Sequence, residues 1–154
     1  RNIPAMKQIR LVPPVYLLLA LAVAVSLHRF LPLAQLLAWP WRWAGLLFLL
    51  PVGLLAGPGA RALGRSGTTL NPYGQPSVFV TSGPFRYSRN PLYLSLALLL
   101  TGVAILLGSL TPFLVVPLFV WAITVAFIRR EEAALAAAFG DAYRDYRRRV
   151  RRWL

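Results

Sequence analysis

The sequence contains no cysteine, only one histidine and only four acidic residues among 154. Without cysteine there is no disulfide framework, no thiolate metal site and no cysteine nucleophile. One histidine and four carboxylates are too few for a protein metal cage or a Ser-His-Asp triad, so no metal site is expected. Charge as a whole is scarce. Only 14% of residues are charged, where a soluble domain carries about a quarter. That excludes a water-soluble monomer.

What is abundant is apolar surface: 58% of residues are hydrophobic and the mean hydropathy is +0.61. Stretches free of charge locate the crossings. Leu11–Leu27 runs for 17 residues, Trp43–Ala60 for 18 and Asn90–Ile128 for 39. A bilayer-spanning helix needs about 20 apolar residues, with about 17 as a lower bound, so the longest run holds two crossings. Gly108-Ser109-Leu110-Thr111-Pro112 is where it folds back, with Gly108 ending one helix and Thr111-Pro112 supplying an N-cap and a first-turn proline for the next. Asn90-Pro91 reads the same way at the start of the third crossing. Pro13, Pro14, Pro51 and Pro117 predict kinks inside the spans, which packed membrane helices tolerate.

The expected fold is all-α: one polytopic membrane domain over residues 1–154. Its four transmembrane helices lie near 11–31, 43–60, 91–108 and 112–128, with a long loop and a C-terminal amphipathic helix. The first span is too long, and too far from a small-residue cleavage motif, to read as a signal peptide. The start at Arg1 and not Met suggests a trimmed N-terminus. Trp39, Trp41 and Trp43 form an interfacial aromatic belt at the second span. No internal repeat is visible.

Basic residues set the orientation. Of the 17 Lys and Arg, all but Arg29 and Arg42 fall at the two termini or in the second loop, which four crossings put on one side. The positive-inside rule makes that side the cytoplasm. The Arg- and Ala-rich composition points to a bacterial inner membrane. A net charge of +13 also suits nucleic acid, but basic residues between long apolar runs do not form the polar basic face that such binding uses. No nucleic-acid partner is expected.

Polar chemistry collects in three places. The loop Arg61–Arg89 is rich in Gly, Pro, Ser and Thr but carries Tyr73, Val78, Phe79, Val80, Phe85 and Tyr87 as apolar anchors, which predicts an ordered, functional loop. Arg129-Arg130-Glu131-Glu132 follows the last span and holds half of the acids. Read as structure, it is an interfacial cluster with Arg129 and Glu132 paired at i, i+3; read as function, carboxylates at a membrane boundary bind polar ligand groups. After Gly140, Asp141 is an N-cap and Tyr143, Tyr146, Val150 and Trp153 form one face of an amphipathic helix that would lie on anionic lipid. His28 reads as interfacial, and Ser95, Thr101 and Thr124 as bonded to helix backbone.

Val80-Thr81-Ser82-Gly83-Pro84-Phe85-Arg86-Tyr87-Ser88-Arg89-Asn90-Pro91-Leu92-Tyr93-Leu94 resembles the GPFRYSRHPxY signature of the isoprenylcysteine carboxyl methyltransferase family, related to the phospholipid methyltransferases. As in that family, a helical hairpin and a Glu-Glu pair follow: Pro91–Ile128 and Glu131-Glu132. Phe139-Gly140-Asp141-Ala142-Tyr143 with Tyr146 and Val150 is similar to the family's FGxxYxxYxxxV run. Gly67-Thr68-Thr69-Leu70-Asn71-Pro72 is similar to the loop of small bacterial members. Together these cover about residues 67–154, and their order and spacing are more specific than any one of them. Asn90 stands where many relatives have histidine; it keeps a hydrogen-bonding side chain but cannot carry a proton.

The resemblance implies an S-adenosylmethionine-dependent methyltransferase acting on a lipophilic acceptor (a carboxylate, thiol or amine) in contact with membrane lipids. It implies a cofactor region over 67–154 with Val80, Thr81, Gly83, Arg86, Tyr87, Asn90, Pro91, Tyr93, Glu131 and Glu132 as binding residues. Arg86 or Arg89 would pair with the cofactor carboxylate and are the candidates for a catalytic role, which the sequence leaves open. Two other readings compete. A sterol-reductase-like enzyme would take NADPH, and a small membrane scaffold or transporter subunit would bind neither cofactor.

Overall fold

The computed structural model describes residues 12–66 and 78–154. The Gly67–Pro72 similarity, Tyr73 and Gly74 lie outside the described residues, as does Leu11 at the edge of the first expected span. Among the described residues the regular structure is helical: α1 Pro13–Phe30, α2 Leu49–Arg65, α3 Pro91–Leu107, α4 Leu110–Ile123 and α5 Arg129–Arg149. A 3₁₀ segment, Trp41–Phe48, leads directly into α2, and a π segment, Thr124–Ile128, joins α4 to α5. Pro13–Phe30, Trp41–Arg65 and Leu110–Arg149 are long and apolar enough to cross a membrane; Pro91–Leu107 is a shorter apolar helix. The apolar stretch of the third ends at Ile128, so the charged α5 lies beyond it. The chain is an all-α membrane protein.

The core is a product of helical spacing. Tyr93, Ala97, Leu100 and Ala104 on α3 and Val115, Phe119 and Ile123 on α4 are buried, recurring every three to four residues as one face of a helix requires. Leu17 and Ala24 of α1 and Phe127 and Ile128 of the π segment join them, and Tyr16 meets Phe127 edge to face at 5.2 Å. The second span packs on the third through glycine. A Cβ on Gly102 would lie 2.8 Å from the Gly45 carbonyl oxygen, and one on Gly45 would fall on the Gly102 oxygen. Small residues give such close backbone approach in membranes, where packing replaces the hydrophobic drive. Gly45→Ala is therefore expected to cost about 1–3 kcal/mol by overpacking, read as a lower midpoint of thermal unfolding in detergent.

Several local expectations are corrected. Pro13 and Pro14 open α1 and do not kink it, since the first turn lacks the carbonyl partner a proline would displace. Gly108 does end α3, at φ 74°. The next helix begins at Leu110 with Ser109 as its capping residue, so Thr111 and Pro112 sit within the first turn and Thr111 is not the N-cap. The Ser109 hydroxyl instead meets His28 Nδ1 at 2.7 Å, and Gly108 O accepts the amides of Leu36 and Leu37, both at 2.9 Å. The connector after α1 is thus docked onto the α3–α4 turn. α2 continues through Arg61 to Arg65, which shortens the expected loop. Ser95, Thr101 and Thr124 bond to their own helix carbonyls at Leu92, Ala97 and Val120.

The C-terminal helix differs in what its apolar face covers. α5 is broken at Gly140, whose φ of 52° and ψ of −120° are non-helical, a conformation that glycine adopts without a Cβ clash. Gly140, not Asp141, holds the non-helical position before the last turns. The break aims Tyr143, Tyr146 and Val150 at Phe79, Leu135, Ala136 and Phe139. The apolar face thus packs on the protein's own loop and not into lipid, because that loop supplies aromatic partners at 5.0 Å (Tyr146) and 5.5 Å (Tyr143) from Phe79.

Candidate functional site

The site is built where the segment before α3 meets the start of α5. Gly83, at φ 60°, allows the chain to turn into the short helix Gly83–Arg86. Phe85 is buried there and its carbonyl accepts the Tyr146 hydroxyl at 2.6 Å. Ser88 has no exposed surface, and its Oγ accepts the Asn90 amide at 3.1 Å. Pro91 then opens α3. One turn in, the Tyr93 hydroxyl donates to Glu131 Oε1 at 2.5 Å.

Beside that contact lies a buried ion triad. Arg89 Nη1 stands 3.2 Å from Glu132 Oε1, with side chains 10% and 9% exposed. Arg152 grips the same carboxylate with both arms of its guanidinium, Nε to Oε1 at 3.0 Å and Nη2 to Oε2 at 2.6 Å. The chain after α5 is held at its backbone too. Arg151 O accepts the Arg89 amide at 2.9 Å, and Arg152 O accepts Asn90 Nδ2 at 3.0 Å and Ser88 Oγ at 3.4 Å. Arg89 is close to Glu132 but not aligned with it: among the described residues its buried Nε and Nη1 have no hydrogen-bond partner. Such orphaned donors cost free energy unless a further group takes them.

The electrostatics follow from burial. Burial lifts the Glu131 carboxyl above its ordinary range, the Tyr93 hydrogen bond opposes this, and the neighbouring Glu132 charge adds to it. Burial, with the Tyr143 hydroxyl beside it, pushes Tyr146 up to about 12 against the pull of Arg89. Tyr146 is therefore a neutral hydrogen-bond donor at physiological pH.

Of the expected site residues, Arg89, Asn90, Pro91, Tyr93, Glu131 and Glu132 are brought together. Thr81, Gly83, Arg86 and Tyr87 are exposed and Val80 is half-buried; they rim the loop outside the buried network. The i, i+3 pairing of Arg129 with Glu132 does not form, because Arg129 is exposed and Glu132 turns inward to Arg89 and Arg152. Ser88 and Arg152 were not anticipated. Ser88 sits inside the recognised signature and could have been singled out, whereas nothing distinguishes Arg152 within its run of arginines.

The arrangement can hold a group carrying both charges: a carboxylate at Glu131, orphaned cationic donors at Arg89 and neutral polar groups between them. Comparison with known proteins bears on which group. A protein of Haemophilus influenzae described as uncharacterized is 44% identical over 63 residues, 41% of this chain and all of that protein. The protein-S-isoprenylcysteine O-methyltransferase of Schizosaccharomyces pombe is 36% identical over 73 residues, 47% of this chain and 31% of the yeast enzyme. The chain thus spans under a third of the yeast enzyme's length. No solved structure matches. The phospholipid methyltransferase family matches residues 40–142, from the start of the second span to the kink in α5, and so takes in the Tyr93–Glu131 contact and Glu132. On that match, covering most of its length, the chain belongs to the phospholipid methyltransferase family and is a membrane methyltransferase.

Proposed function

We propose that this membrane methyltransferase takes its methyl group from S-adenosylmethionine, at a cytoplasm-facing site, and delivers it to a lipophilic acceptor that enters from the bilayer. The observation carrying this reading is the meeting of Tyr93, Glu131 and Arg89 just beyond the apolar helices. The cofactor is polar, with an ammonium, a carboxylate and ribose hydroxyls, and the residues present fit it. Glu131 supplies a carboxylate for the ammonium. Arg89, ion-paired with Glu132, still has buried Nε and Nη1 donors that make no hydrogen bond among the described residues, suited to the carboxylate through charge-assisted bonds. Asn90 and Tyr93 offer neutral hydrogen-bonding groups at the mouth of α3, and Val80, Thr81, Gly83, Arg86 and Tyr87 rim the entry. The cytoplasmic placement rests on the distribution of basic residues.

When bound, the cofactor supplies a methyl group on a positively charged sulfur, already activated for displacement. This chain's own contribution is then to bind, align and exclude water. That suits a chain with so few titratable groups: a carboxylate or thiolate acceptor needs no protein base. Asn90 cannot serve as one, and its amide is engaged with Arg152 O.

Calorimetric titration of the detergent-purified protein tests the reading. Saturable binding of S-adenosylmethionine and S-adenosylhomocysteine is expected, with no heat from NADPH. Binding of NADPH alone would replace this reading with the reductase chemistry. Silence from all three in folded protein would remove the cofactor.

A further inference from the structure

The match to the family ends at residue 142, yet the chain beyond it reaches back into the site. Val150 ends α5 in an extended conformation, φ −121° and ψ 130°, and the following residues run as a strap across the Ser88–Asn90 segment. Were this a solvated basic tail, its carbonyls and guanidinium would face water. Instead Arg151 O, Arg152 O and the Arg152 side chain are all taken up by site residues, and Trp153 packs against the main core.

We infer that the strap Val150–Leu154 is part of the site and that Arg152 is its positioning residue, fixing Glu132 and Asn90 so that Glu131 is the carboxylate left for the cofactor. The inference rests on the cofactor reading above.

The division of labour between adjacent carboxylates follows from geometry. Arg152 occupies both oxygens of Glu132, and Arg89 stands against one of them. A planar fork meeting both oxygens fixes the rotamer as well as the charge, which a lysine cannot do. Among the described residues, Glu131 has only one oxygen engaged, by the Tyr93 hydroxyl, and that neutral contact does not offset its charge. Two adjacent residues on a helix point about 100° apart, so holding one inward toward the strap determines where the other faces. The Arg152 carbonyl does the same for Asn90 by accepting its amide, which sets the side chain at the mouth of α3.

The test compares wild type with Arg152→Ala, Arg152→Lys, Glu132→Gln and the Arg152→Ala/Glu132→Gln pair, in detergent. Each is titrated with S-adenosylmethionine, and the carboxylate stretching bands are compared by infrared spectroscopy at neutral pH. Arg152→Ala should weaken binding about tenfold or more, with Arg152→Lys between it and wild type. The loss should shrink to about threefold or less when Glu132 is already Gln, the mark of a coupled pair. In the infrared, Arg152→Ala should move one carboxylate stretching band, because a carboxylate loses its two-point guanidinium contact, and Glu132→Gln should erase that band. Unchanged affinity in Arg152→Ala, equal losses in both backgrounds, or no moved band would overturn the inference. The double variant carries no stranded carboxylate at 132, so failure of Arg152→Ala to fold leaves the comparison with Arg152→Lys and the pair intact. If wild type itself binds no S-adenosylmethionine, the cofactor reading falls and the infrared arm alone decides the clamp.

Discussion

Glu131→Gln is expected to weaken S-adenosylmethionine binding by about a hundredfold, corresponding to about 2.7 kcal/mol, while helical content is retained. The substitution keeps shape and a hydrogen-bond acceptor for Tyr93 but removes the charge proposed to meet the cofactor ammonium. A pH dependence distinguishes this from a packing effect. Burial raises the Glu131 carboxyl above its ordinary range, so the carboxylate form is lost at a higher pH than for an exposed glutamate, which titrates near 4.3. Affinity should therefore decline on acidification at a higher pH than an exposed glutamate would give, and recover as pH rises. Glu131→Gln should flatten that limb. A profile identical in wild type and variant would take Glu131 out of the site.

The largest stability effect is expected at the adjacent residue. Glu132→Ala removes the one carboxylate between Arg89 and Arg152, leaving a guanidinium that is only 10% exposed without its counter-ion. Breaking a buried pair in this way costs about 3–5 kcal/mol, because the remaining charge stays desolvated. The strap should also loosen, so thermal unfolding in detergent and carboxypeptidase removal of the last residues should both come earlier. Asp145→Ala is the contrast. Its pair with Arg148 is solvent-exposed, with side chains 78% and 55% accessible, and its loss should change stability by about 0.5 kcal/mol or less. Added salt should leave the Glu132 effect in place, since buried pairs are screened little.

Much of this was legible in one sequence. The charge-free runs put helices close to where they lie, because hydropathy over some twenty residues is a strong local signal. Gly108 marked the end of α3 for the same reason: its left-handed conformation is written in the residue type. The motif Arg89-Asn90-Pro91-Leu92-Tyr93 and the pair Glu131-Glu132 located the buried cluster. The failures are tertiary. Ser109, not Thr111, caps α4, because His28 and the docked connector at Leu36 and Leu37 fix the turn two residues earlier. The apolar face of the last helix gave no sign of whether it meets lipid or Phe79. Arg152 was invisible because its identity as a partner of Glu132 depends on the chain doubling back after Val150, and every neighbouring arginine has the same local character.

The π segment between α4 and α5 carries a consequence for the phase of everything after it. There the Arg129 amide reaches back five residues to Thr124 O, so the helix carries one residue more than a regular turn would hold. Straightened into an α-helix with no residue removed, the downstream chain would be rotated by about 100°. Glu131 would then take the direction that Glu132 has toward Arg89 and Arg152, and Arg130 would face Tyr93. The widened turn thus works as an angular offset between the membrane anchor and the polar cap. A regular turn there would move Glu131 into the place of Glu132 and leave no carboxylate at Tyr93, without altering either glutamate.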